Sequence, residues 1–361
     1  MSQVFVFPTS PESVIADYQK LLRGANYKTY LQKNSPVVLK LNLSWTRFYP
    51  ACSTPPWQLE GVVKTLLEDG FKPSQIIPVE NRTVVTNVQQ GSANNGWLGV
   101  LNKYGLKMTY LTDVPYKIYQ PKKKLLILDK IFPEGILLPK LIFGANIIHL
   151  PTMKMHVFTT TTGAIKNYFG MLKTVRHFAH RYIHEAIVDL LTIQKEIHPG
   201  IFAVMDGSIV GKGSGPRAME WEEKNYLLVS ADCVAIDAVA AKMMGFNPLA
   251  LQYLKLAQQQ GLGIADPEKI KVSGEKIEKV NFHFQKADTF ASRGQKLIYH
   301  HTPPWFEKLL LQTVIAPWSY IASSLYHDYY WYNRIGKKRV KAFMKTEWGK
   351  LFKRYSSLPR D

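Results

Sequence analysis

One pattern limits the possible folds more than any other. Short apolar, β-branched runs alternate with helix-length segments over most of the chain. Residues 36–42, 75–80, 106–111, 141–150, 200–206 and 225–232 read as buried strands. Residues 55–70, 92–104, 177–197, 233–245 and 248–261 read as helices, the first with proline at its start and Gly70 at its stop. Parallel strands need such crossovers, because the chain must return over the sheet before pairing again. The expectation is an α/β fold: a mostly parallel sheet, or sheets, with flanking helices. Three segments depart from the pattern. Residues 1–35 read as a helical lead-in, with Ser10 capping a helix that opens at Pro11. Residues 122–139 read as a β-hairpin or sheet extension. Residues 290–361 read as a basic, aromatic, helical extension. The α/β domain then spans 36–289, in one lobe or in two lobes around a cleft, with short strands near 270–272 and 280–284 at its end.

Several strands end in polar residues: Asn42, Glu80, Asp113, the Lys154/His156 pair, Asp206 and Asp232. In open parallel sheets the carboxyl edge forms the ligand crevice. Turn formers and helix caps explain any one of these residues equally well, and Asp113 reads as a turn. Residues 151–170 mix two lysines, a histidine, threonines, an asparagine and glycines, a mixture that predicts departure from the packed core. In an extended segment Lys154 and His156 share a face. A nearby ammonium would keep the imidazole neutral, fit to ligate a metal or move a proton. Thr162, Lys166 and Asn167 suit anion binding beside a backbone turn, although no Walker motif is present. Gly213 and Gly215 lie in a glycine-rich stretch with Lys212 that serves either as an anion loop or as a surface turn. Arg82 follows Glu80 and could hold a carboxylate or phosphate. His177, His180 and His184 share one helix face, suited to a metal or to the polar border of a cleft. Cys233, opening a helix among apolar residues, reads as a buried structural thiol.

The 46 Lys and Arg outnumber the 27 Asp and Glu, for a net charge of +19, which favours anionic partners. Two cysteines cannot build a disulfide framework or a four-thiolate cluster, so a reducing compartment is expected and an iron–sulfur cluster held by this chain alone is not. No signal peptide and no spanning helix are read, which gives a cytoplasmic expectation. Basic and aromatic residues across 303–355 fit peripheral contact with an anionic membrane, fit nucleic acid less well, and also fit a tail packed on the domain.

Together the motifs Lys154-x-His156, Thr162-Gly163-Ala-x-Lys166-Asn167-x-x-Gly170, Asp206-Gly207 with Gly213-x-Gly215-Pro216, and Asp232-x-Val-Ala-x-Asp237 with Gly245 resemble the family known as domain of unknown function 362. Lys40-x-Asn42 and Glu80 sit where that family tends to carry a Lys-x-Asn strand end and an acidic residue. The resemblance covers about residues 36–285. It implies an α/β fold with a shared cleft and names no reaction. Many members add a ferredoxin-like cysteine-rich module, in whose place this chain has its basic tail. Cys233 stands where the family usually has proline.

Two functions follow as expectations. The first is an enzyme for a small carboxylate or phosphate. His156, Lys154 and Lys166 would be its catalytic groups. Asn42, Arg82, Thr162, Asn167, Gly213 and Gly215 would bind the substrate. Glu80, Asp206 and Asp232 would hold a divalent metal if one takes part. The second is a non-catalytic binding protein, associated through its tail with an anionic membrane or nucleic acid.

Overall fold

Val37–Lys40 is buried at all four positions, the signature of a strand covered on both faces. It lies inside a ten-stranded mixed sheet in a computed structural model that describes residues 2–83, 85–173, 179–303 and 317–359. In chain order the strands are β1 (Ser2–Pro8), β2 (Val37–Lys40), β3 (Ile76–Glu80), β4 (Thr109–Tyr110), β5 (Tyr116–Tyr119), β6 (Ile136–Pro139), β7 (Asn146–His149), β8 (Thr152–His156), β9 (Thr160–Thr161), β10 (Ile201–Ser214), β11 (Ala218–Ser230) and β12 (Ile270–Gly274). The helices are α1 (Val14–Gly24), α2 (Pro56–Glu68), α3 (Val88–Asn94), α4 (Trp97–Lys103), α5 (Leu128–Ile131), α6 (Ala164–Asn167), α7 (Ile183–Ile197), α8 (Cys233–Met244), α9 (Gln252–Gln259) and α10 (Phe290–His301). In the tail come α11 (Pro317–Ser324), α12 (Lys337–Phe343) and α13 (Glu347–Ser356).

The main sheet runs β12-β1-β11-β10-β7-β2-β3-β4, with β8 beside β10 and β9 beside β8. Its middle, from β10 through β7 and β2 to β4, is parallel, as the alternation predicts. One face packs on α7, α8 and α9, around Ile147, Val188 and Ile236. The other packs on α1, α2 and α4, around Leu39, Val62 and Val100. Neighbouring residues of β2 therefore serve opposite layers, Val38 one and Leu39 the other.

Several expectations are corrected. Residues 2–8 are not part of a helical lead-in. They form β1, antiparallel to β11 and parallel to β12. The strand expected at 200–206 continues to Ser214 and turns back at once into β11, so the glycine-rich stretch belongs to a hairpin rather than to an anion loop. Residues 122–139 supply only one strand of the small sheet, since β6 pairs with β5 instead. Residues 92–104 are split between α3 and α4, and 280–284 form no strand. The helix expected from residue 177 is helical from Ile183; His177 lies outside the described residues.

The described part of the tail is largely helical, as expected. Residues 317–343 run as a continuous helix through a π-helical stretch, Leu325–Gly336. The apolar side of α12 and α13 is spent on the core: Phe343, Trp348, Phe352 and Tyr355 are buried with the α2 layer. Trp348 packs 5.0 Å from Trp57 and donates to Asn225 at 2.8 Å. No helix among the described residues is long and apolar enough to cross a membrane.

Candidate functional site

Pro151 cannot donate to a ladder, so the chain breaks after β7 and restarts as β8. The residues of 151–170 predict an exposed turn here; β8 is instead buried at all five positions. Its polar side chains survive burial because each finds partners. Lys154 is fully buried. Its ammonium donates to the Asn42 Oδ1, to the Cys52 carbonyl, to Thr152 Oγ1 at 2.9 Å and to Ser44 Oγ at 3.2 Å. All four are neutral oxygens, and among the described residues no carboxylate pairs with it. Burial is the main reason its pKa falls to about 7, with the charge of Lys166 adding to the fall.

His156 lies two residues on. Its Nδ1 accepts from the backbone N–H of Phe158 at 3.2 Å and, more loosely, of Thr159 at 3.4 Å. That assigns the ring proton to Nε2, which makes no hydrogen bond among the described residues. Burial first, then the charges of Lys166, His180, Lys154 and His184, hold the ring well below the usual histidine range. The imidazole is therefore neutral at physiological pH. It borders a cavity of about 130 Å³ with Phe158, Thr160, Gly213, Lys286 and Lys296. Phe158 stacks edge-on against Tyr299 of α10 at 5.6 Å, so α10 lies along the cavity.

Thr162 closes β8 from behind, its N–H reaching the Lys154 carbonyl at 2.9 Å and its hydroxyl at 3.1 Å. Gly163 follows, and a side chain there would place its Cβ 2.1 Å from Asp237 Oδ1. The bare backbone lets the buried Asp237 accept from the N–H groups of Ala164 at 2.7 Å and Ile165 at 3.1 Å, fixing the start of α6. Burial pushes the Asp237 carboxyl up to about 8. Lys166 rides on α6, close enough for its charge to act on both Lys154 and His156. Asn167 donates to the Lys40 carbonyl at 2.9 Å, and its own buried Oδ1 has no hydrogen-bond partner.

Lys40 and Glu80 form a fully buried ion pair at 2.9 Å between β2 and β3. Gly170 covers it: a Cβ there would stand 3.1 Å from Lys40 Nζ. Asn81 holds this cover in place through the carbonyls of Gly170 at 2.9 Å and Leu172 at 3.2 Å. Gly213 and Gly215 approach β8 from the hairpin. Gly213 is in the left-handed region at φ 91°, and a Cβ on Gly215 would collide with the Met155 carbonyl at 1.8 Å. Ser214 then ties the segment that carries Lys286 to the hairpin, donating to the Ala287 carbonyl at 2.9 Å.

The structure thus gathers Asn42 with Lys154, and His156 with Gly213, around β8, with Thr162 just before α6 and Lys166 and Asn167 on it. It does not gather the three carboxylates expected for a metal. Glu80 is engaged by Lys40. Asp206 sits mid-strand on the α2 side, in register with Thr152, and is engaged there by hydrogen bonds from Tyr18 at 2.6 Å, Trp57 at 3.0 Å and Ser208 at 2.6 Å. Asp232 caps α8, accepting from Val234 and Ala235, and also from Ser2 and Ile264. Among the described residues no three His, Cys, Asp or Glu side chains converge as a metal set. Arg82 is exposed on the loop after β3. His180 packs on Phe169 and Phe158 and His184 on Tyr253, both in aromatic surroundings. Cys233 is buried in α8. Reading the sequence missed Lys286 and Lys296, which belong to no motif, and the positioning roles of Lys40 and Asp237, which their motifs did signal.

A family model described as Domain of unknown function (DUF362) matches residues 37–242. No curated protein matches the chain.

Proposed function

The chain belongs to the family described as Domain of unknown function (DUF362), and from the geometry around β8 we propose that it is an enzyme acting on a small carboxylate or phosphate by proton transfer. The observation that carries this reading is the cavity wall itself: a neutral His156, with Nε2 making no hydrogen bond among the described residues, lines the same space as Lys286 and Lys296. A neutral imidazole accepts a proton, and Lys286 supplies charge for an anionic substrate, joined by Lys296 once the substrate replaces its present partner, Asp288 at 2.7 Å. Lys154, with a pKa near neutrality and no carboxylate beside it, adds positive potential from behind β8 while it is protonated. Lys166 acts in the same direction. Clustered groups with shifted pKa values at a cavity are a common mark of an active site.

The probe is oxalate, a dianion of constant charge near neutrality, with inorganic phosphate alongside. Both should raise the melting temperature of the wild-type protein. The double variant Lys286→Ala, Lys296→Ala should lose about tenfold in oxalate affinity by calorimetry, in line with two lost ion contacts. Affinity in the wild type should fall as pH rises through about 7, where Lys154 loses its proton, and Lys154→Met should flatten that dependence. Catalysis is read separately. A panel of small phosphates and hydroxy or keto acids, followed by NMR, should show one compound consumed by wild type and not by His156→Gln, with oxalate binding kept within about threefold. Oxalate binding indifferent to the lysine pair sinks the site; turnover unaffected by His156→Gln sinks the role of the histidine.

A further inference from the structure

The tail has a second apolar stripe that is exposed. Along the helix at 317–343, Trp318, Ile321, Leu325 and Tyr329 recur at steps of three or four residues, which is one stripe. They are exposed at 41%, 60%, 56% and 63%. The helix is not loosely attached. On its other side Trp331 is buried against Trp45 and Tyr49, the Trp45 indole donates to Asp328, and Arg217 donates to Ser323 at 2.9 Å. The orientation is therefore fixed, and Ile321, Leu325 and Tyr329 of the stripe stay exposed in it. On α10, Phe290 and Leu297, two turns apart, are also exposed. Exposed apolar surface on this scale marks an interaction site.

We propose that this face docks peripherally on an anionic lipid bilayer. Three features choose lipid over a protein partner. Trp318, Tyr329 and Tyr330 pair an apolar ring with a polar edge, the residue types that concentrate at membrane–water interfaces. Cations flank the stripe: Arg334 lies 5.3 Å over the Tyr330 ring, and Lys337, Lys338, Lys341, Lys345 and Lys353 are exposed beyond it. Between 334 and 356 the sequence holds one carboxylate, Glu347, already paired with Lys350 at 2.6 Å. Apolar depth combined with basic charge is how a helix lies in the interface without spanning it.

The full chain is floated with phosphatidylcholine vesicles, with and without phosphatidylglycerol. Binding should need the anionic lipid and should weaken as salt is raised. Ile321→Ser, Leu325→Ser, Tyr329→Ser together should cut retention about tenfold with the melting temperature unchanged, because these side chains are more than half exposed. Lys337→Gln, Lys338→Gln, Lys341→Gln should remove the preference for phosphatidylglycerol. Equal flotation of wild type and the apolar variant overturns the proposal. So does failure of the wild type to float, including the case where it binds DNA or RNA, or self-associates, through the same residues.

Discussion

At the scale of single residues, two buried groups bend stability with pH in opposite directions. Lys154 falls from 10.5 to about 7 on folding, so between those values the folded chain holds fewer protons than the unfolded one. Its contribution is fully present above about 10.5 and is lost as pH falls toward 7. Urea midpoints at about pH 7 and about pH 10 should therefore differ less in Lys154→Met than in wild type, and the variant should gain most at the lower pH, where an unpaired buried charge costs most. Asp237 rises from 3.8 to about 8, so its contribution is present at low pH and lost as pH rises through 8. Asp237→Asn should remove that loss and cost roughly 1–2 kcal/mol below it, because one carboxamide oxygen replaces two acceptors for the α6 amides. Gly163→Ala should be worse, about 3 kcal/mol or more by thermal melt, since its Cβ has no room beside Asp237 and the buried helix α8 cannot give way.

At the scale of elements, α13 is part of the core. Phe352 stacks on Phe48 at 3.6 Å and Tyr355 donates to Glu60, which Lys103 and Tyr104 also hold. Phe352→Ala should cost roughly 3–5 kcal/mol in denaturant titration, the price of a core aromatic rather than of a surface appendage. The apolar strands were legible because burial on both faces demands their composition: β2, β3 and β7 lie where the runs predict them. So was α8, with Asp232 at its cap and Gly245 at its stop. Two other elements were hidden by residues that usually mean something else. In β10, glycines suggest a loop, yet Gly211 and Gly215 are needed where the hairpin presses on Lys154 and Met155. In β8, lysine and histidine suggest solvent, yet hydrogen bonds from distant segments make their burial tolerable. Alternation still placed Lys154 and His156 together correctly on one strand. It could not show that Asp206 lies mid-strand, held by Tyr18 and Trp57, because that depends on how far β10 continues.

At the scale of the molecule, the unpredicted parts of the site come from long-range packing. Lys286 and Lys296 line the same cavity as His156 because the chain after β12 returns to the β10–β11 hairpin, where Ser214 holds Ala287. The same packing puts α10 to two uses, with Tyr299 toward the cavity and Phe290 outward. The family match ends at residue 242, before any of this, so the lysines and the outward face lie beyond the matched span.

The position of β1 has a consequence for synthesis. β1 is made before every other strand of this sheet, yet it is hydrogen-bonded between two of the last of them, Ala218–Ser230 and Ile270–Gly274. It must wait, apolar and unpaired, while the central strands assemble, which is when such segments are open to misassembly. Chains stalled before Ala218 should leave Phe5 and Phe7 accessible to protease, and chains extended past Gly274 should protect them. β1 would then be the last seam of the sheet to close.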